Sequence, residues 1–221
     1  MIESVASSSS LVADLPEIVP LFPLENVLLL PHARLPLNVF EPRYLKLVEE
    51  ALGRRDRIIG IIQPSGESGE PQPLYRVGCA GRIVSFSETD DNRYLLTLHG
   101  VCRFALVSEI DPADFYRQAR VSWDSYQSDL RPLENADVDK ERLFGVLHTY
   151  FASQGAAPEW ESLEMAATND LISSLAMACP LPSNEKQALL EAPSLRARAD
   201  MLMTMLEMAC LSSDGDEGAR H

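Results

Sequence analysis

The chain has 221 residues, 46% hydrophobic and 24% charged, with a formal net charge of −14, an ordinary globular composition with room for one or two domains. A net anion of this size repels phosphate backbones, so no nucleic-acid partner is expected. No apolar run approaches the ~20 residues that span a bilayer, so no membrane partner is expected either.

The opening MIESVASSSSLVADLPE has neither a basic nor an apolar signal region, which points to a cytoplasmic location. Residues 1–14 are Ser-rich and aperiodic and read as a disordered N-terminus. A β-rich block follows over residues 15–124. Its first part, LFPLENVLLLPHARLPLNVFEPRYLKLVEEAL (21–52), holds two apolar runs, Val27–Leu30 and Leu35–Phe40, interrupted by Pro31 and Pro36. Proline fixes φ and offers no N–H to a ladder, so short bent strands at edges or corners are expected. Pro42 opens a helix in which Tyr44, Leu47, Val48, Ala51 and Leu52 form one apolar stripe, and Gly53 ends it.

Ile58–Gln63 is a β-branched run suited to a buried strand, and Pro64–Pro71 is a loop by composition. Leu74–Thr89 is long for one strand, with Gly78 and Gly81 offering bulges. Asp90-Asp91-Asn92 turns the chain into a second long strand, Arg93–Ile110, which Gly100 is placed to bend. Ala119, Val121 and Trp123 alternate with polar residues and close the block. Short strands, glycine bends and one helix suggest a pseudo-barrel of antiparallel sheets.

Residues 125–137 lack any period and read as a linker. The segment 138–211 is helical by its spacing: Leu143, Val146, Leu147, Tyr150 and Phe151 share one face, with Gly155 placed as a C-cap. Pro158 starts a short helix, and Leu171, Ile172, Leu175 and Ala176 mark the next. Ser183 and Ser194 sit where N-caps belong. The last helix carries Leu195, Ala199, Leu202, Leu206 and Ala209 beside a stripe of Met201, Met205 and Met208, an arc wide enough to be wrapped by neighbours. Residues 212–221 read as a disordered tail. The fold class is α+β: an N-terminal β-rich pseudo-barrel with one amphipathic helix, followed by a C-terminal α-helical bundle.

Named catalytic chemistry is missing from the pattern. Cys79, Cys102, Cys179 and Cys210 form no C-x-x-C pair and read as buried free thiols, and the four histidines are far apart, so neither metal nor cofactor is expected. A phosphate-cradling loop needs a lysine after glycine, and none of Lys46, Lys140 and Lys186 has one. None of the three is expected to have the apolar burial that turns a lysine into a base. No catalytic residue is assigned.

The run FPLENVLLLPHARLPLNVFEPRYLKLVEEAL resembles the opening of the N-terminal, substrate-binding domain of the Lon proteases. IIGIIQ (58–63), LYRVGCAGRI (74–83) and GVCRF (100–104) continue the resemblance in the same order over about residues 17 to 123. The second half, with CPLPSNEKQALLEAPSLRARADML, is similar to the helical extension of small bacterial proteins that carry this domain alone; the LON-like domain of cereblon is a more distant relative. The resemblance implies a non-enzymatic module that binds unfolded or degron-bearing protein segments in protein quality control, with a Lon-type protease as a further partner. A bound peptide needs exposed apolar surface or an open strand edge. The candidates are Leu30, His32, Leu35, Leu37 and Phe40, with Glu41, Arg43 and Tyr44 flanking them; packing alone would equally place Phe40 and Tyr44 between helix and sheet. Two other readings stay open: a hydrolase or peptidase accessory with an unrecognised site, and a small-molecule or regulatory protein with an interdomain pocket.

Overall fold

A computed structural model of the chain describes residues 14–110, 115–132 and 137–217, with side chains to 211. The expected disordered N-terminus lies outside these residues but for Asp14, and the last helix continues into the expected tail as far as Glu217. The described residues form two compact units. One takes those of Met1–Leu133 together with Pro180–Leu190; the other takes those of Glu134–Cys179 and Glu191–His221.

The first unit holds six strands: β1 (Ile18–Pro23), β2 (Arg34–Val39), β3 (Ile58–Ile62), β4 (Val77–Glu88), β5 (Tyr94–Ile110) and β6 (Gln118–Ser122). Helix α1 (Pro42–Gly53) joins β2 to β3. The sheet order is β2-β5-β4-β3-β1-β6, and β6 also pairs with β5. Five strands therefore close a barrel, and β2 stays outside the ring as an edge. Most pairings are antiparallel as expected, but β1 runs parallel to β3, with Leu21 opposite Gly60. The barrel encloses Val19, Leu21, Ile58, Ile62, Cys102, Phe104, Val121 and Trp123, the Phe104 and Trp123 rings meeting edge to face at 6.0 Å. Burial pushes the Cys102 thiol up to about 12, so it is inert near neutral pH.

The strand that closes the barrel is β5. Its first part pairs with β2, from Val39↔Tyr94 to Arg34↔His99, and its last part with β6, from Ala105↔Ser122 to Ile110↔Gln118. The change of partner falls around Gly100. There the turn after Leu30 docks by backbone: His32 N–H donates to the Gly100 carbonyl at 2.8 Å, and Gly100 N–H to that of Ala33 at 2.9 Å. A Cβ at Gly100 would overlap the Leu30 carbonyl oxygen and lie 2.8 Å from its carbon. His32 turns the chain at a φ of 65°.

Two segments expected elsewhere belong to this unit. Residues 125–130 are not linker but part of a 3₁₀ helix, Asp124–Leu130, that packs on β5. Its Asp129 accepts from Arg103 Nε and Nη2 at 2.8 Å each and from the Arg103 backbone N–H at 3.0 Å. Both side chains are buried, and the guanidinium also lies 4.6 Å from the Tyr126 ring centre.

The second is a helix placed by its spacing in the 138–211 bundle. Numbered in chain order after α2 (Lys140–Ser153), α3 (Trp160–Met165) and α4 (Thr168–Ala178), α5 (Ser183–Glu191) packs with the barrel instead. Buried Gln187 donates to the Val77 carbonyl at 3.0 Å and accepts from Gln63 at 3.2 Å. The Leu190 carbonyl accepts from Arg103 Nη1 at 3.0 Å. An unpaired polar group at these depths would cost about 1–3 kcal/mol, so the helix is held in one register.

The second unit contains α2, α3, α4 and α6 (Leu195–Glu217). Asp139 caps α2 by accepting from Arg142 N–H at 2.9 Å, and Ser194 caps α6 through Ala197 N–H at 3.1 Å. Leu143, Leu147, Leu202, Met203 and Leu206 fill its interior. The methionine stripe is only partly wrapped: Met201 and Met205 are half-buried and Met208 is exposed.

Candidate recognition surface on the edge strand

The eight expected site residues fall into three places. Leu30 is fully buried, which corrects its assignment as a peptide contact: its carbonyl is the wall against which Gly100 packs. Leu35 and Leu37 are half-buried because they share the inner face of β2 opposite Leu98 and Leu96. His32 is half-buried in the turn, its ring 6.4 Å from that of His99. Phe40 is 59% exposed at the end of β2, with the Arg93 guanidinium 5.6 Å from its ring centre.

Glu41, Arg43 and Tyr44 lie apart from these, around a cavity of about 610 Å³ also lined by Phe115, Tyr116 and Arg117. Their contacts are mostly internal. Arg43 pairs with Glu41 at 2.8 Å and lies over the Tyr44 ring, which stacks on Phe22 at 4.0 Å. Burial, opposed by Arg43, holds the Tyr44 hydroxyl above its ordinary range. Arg117 donates to Glu109 at 2.6 Å and to the Gln72 carbonyl at 2.7 Å. Polar groups already satisfied by neighbours have little left to offer a ligand.

The lysines carry one correction. Lys186 is buried, not solvated: its Nζ donates to the Asn26 carbonyl at 2.9 Å, while Ser183 Oγ bonds the Asn26 side chain at 2.7 Å. These contacts tie α5 to the turn after β1. Among the described residues no group of three or more His, Cys, Asp or Glu could hold a metal ion, and no helix is long and apolar enough to cross a membrane.

The lobe formed by β2, β5 and β4 presents a second candidate surface on its outer face. Registers place Asn38, Leu95 and Ser87 in one cross-strand row, Pro36, Thr97 and Ser85 in the next, and Arg34, His99 and Arg82 in the third. The first two rows line a shallow concavity of about 410 Å³. Leu95 is 46% exposed. These residues escaped notice in the sequence because Arg34, His99 and Arg82 come from three distant stretches; only the strand register brings them together.

Burial first, then His32, Arg34 and Arg82, holds His99 below the usual imidazole range. Below about pH 6.5 the unfolded chain protonates this histidine before the folded one does, so stability falls as pH drops through that window. His99→Gln is expected to flatten that part of a thermal-midpoint profile while leaving the midpoint at pH 8 unchanged. An unaltered slope would mean that other groups govern the acid limb.

A profile of the ATP-dependent protease La (LON) substrate-binding domain matches residues 18–208. The chain belongs to the Lon substrate-binding domain family. Lon protease 2 of Sorangium cellulosum is 32% identical over 205 residues, covering 85% of this chain and 24% of that protein. Lon protease 2 of Myxococcus xanthus is 28% identical over 198 residues, covering 87% and 24%. The chain thus spans about a quarter of the length of the curated relatives it matches. A Lon N-terminal domain protein from Xanthomonas campestris has the same fold, with a TM-score of 0.58 at 24% identity over 85% of this chain and 97% of that one. What these relatives share with the chain is the substrate-binding part. In this Lon-type domain the match includes α5 and most of α6, so the helical half is part of the family unit and not an appendage.

Proposed function

We propose that this chain is a non-enzymatic recognition module for unfolded or degron-bearing protein segments, with an adaptor role in protein quality control alongside a Lon-type protease. The supporting observation is the outer face of the β2–β5–β4 lobe, where Leu95 lies over a shallow concavity and Phe40 stands exposed at its end. Pro36 in the middle of β2 lacks an N–H, which makes the open edge a poor template for an added strand. The face, more than the edge, is therefore the surface for a client. An exposed aromatic and an aliphatic side chain beside a concavity supply apolar contact without a fixed sequence requirement.

Phe40→Asp combined with Leu95→Asp should leave the thermal midpoint nearly unchanged, since exposed substitutions usually shift stability by no more than ~0.5 kcal/mol. Capture of a denatured client such as reduced, carboxymethylated lactalbumin should fall about tenfold or more, because apolar contact is lost and a charge must be desolvated. Undiminished capture by a folded double variant would place recognition on another surface.

A further inference from the structure

We propose that the row Arg34–His99–Arg82 seats one carboxylate of an extended acidic segment lying on the outer face of the β2–β5–β4 lobe; this rests on the recognition reading above and adds the substrate class. His99 is the direct cross-strand partner of Arg34 on one side and Arg82 on the other, so the three side chains share one face. Neighbouring strands lie about 4.8 Å apart, which sets the two arginines roughly 10 Å from each other at the backbone with the imidazole between them. Long guanidinium side chains leaning inward from that separation can reach one anion above the ring.

No carboxylate of the described residues forms an ion pair with either arginine. In the same unit Arg43, Arg54, Arg93, Arg103, Arg117 and Arg120 each have one; among the described residues Arg55, Arg57 and Arg76 also have none but do not share a cross-strand row. A chain of net charge −14 has acidic groups in excess, so two uncompensated arginines flanking one histidine are a local reversal of its character. The groups acting on His99 are all basic, His32 included, and His32 Nε2 is enclosed without a hydrogen-bond partner. A carboxylate over the row would reverse that field and favour the imidazolium.

Spacing makes the inference more specific. Leu95 precedes His99 by four positions on the same outward face, about 13 Å along the strand. An extended segment on this face therefore presents an apolar residue to Leu95 and an acidic residue to the cationic row four positions away.

The test uses the full chain and three labelled peptides that share a Leu-Phe anchor and carry Glu, Gln or phosphoserine four residues along, followed by fluorescence anisotropy at low salt. The Glu peptide is expected to bind about tenfold more tightly than the Gln peptide. That difference should vanish in Arg34→Gln/Arg82→Gln, whose thermal midpoint should match the parent's, and the Glu peptide should raise the pH at which the His99 ring signals titrate by NMR. Equal affinity for Glu and Gln peptides overturns the carboxylate seat and leaves client recognition standing. A preference for phosphoserine without one for Glu overturns it in favour of a phosphate seat. If no peptide binds, the seat is overturned; capture of a denatured client that depends on Phe40 and Leu95 then decides separately whether the recognition reading survives.

Discussion

Asp129→Asn is expected to destabilise the barrel unit by about 3–5 kcal/mol, the range for removing one partner of a buried ion pair. The side chains of Arg103 and Asp129 are 7% and 9% exposed, and the carboxylate takes both a bidentate pair and the Arg103 backbone N–H. The asparagine keeps the shape and loses the charge, leaving the buried guanidinium, which also donates to the Leu190 carbonyl and lies against the Tyr126 ring, without its counter-charge. Replacing both partners, as in Arg103→Met/Asp129→Leu, removes the desolvation problem and should be much less costly than the single change. Urea unfolding followed by Trp123 fluorescence in a Trp160→Phe background reports on the barrel alone. A loss below about 1 kcal/mol for Asp129→Asn would mean that water reaches the pair and that it behaves as a surface bridge.

Gly100→Ala is expected to cost about 3 kcal/mol, the upper end of the range for overpacking. The added Cβ meets main chain and not a yielding side chain: the Leu30 carbonyl oxygen and carbon and, at 3.3 Å, Pro31 Cα. Relief requires the Leu30–Ala33 turn to lift, which breaks the two hydrogen bonds that dock it on β5. Because the turn leads directly into β2, the damage should extend to the lobe, with faster amide exchange along Arg34–Val39. Gly53→Ala is the control, since nothing lies within 4 Å of its Cβ, and an alanine at the end of α1 should be neutral or slightly stabilising. Equal midpoints for the two variants would show that the turn gives way freely.

Local features of the fold are legible in the sequence. The α1 stripe buries Tyr44, Leu47, Val48 and Ala51, and the turn at Asp90–Asn92 closes between Thr89 and Arg93. Both depend on neighbours within a few residues. The parallel pairing of β1 with β3, the change of partner along β5 and the docking of α5 depend on residues tens of positions apart, and no period within a window encodes them. The candidate surface divides along the same line. Phe40 is exposed at the end of β2, which its sequence surroundings left open, whereas Leu30 in the same run is core because the barrel closes over it. Alternation alone does not say which side of β2 faces inward, so the pattern points to Leu35 and Leu37 and passes over Arg34.

The return of α5 to the barrel makes the second compact unit an insertion as well as an extension, since residues 134–179 leave the first unit and lead back into it. Melting that stretch would leave α5 tethered by a slack loop, and closing a flexible loop of such length costs about 3 kcal/mol on logarithmic scaling. The folded insertion thus acts as an entropic splint. Whatever loosens its helices, whether heat, substitution or a bound partner, lowers the effective concentration of α5 at the barrel and weakens the clasp on Arg103 and Gln63 from a distance.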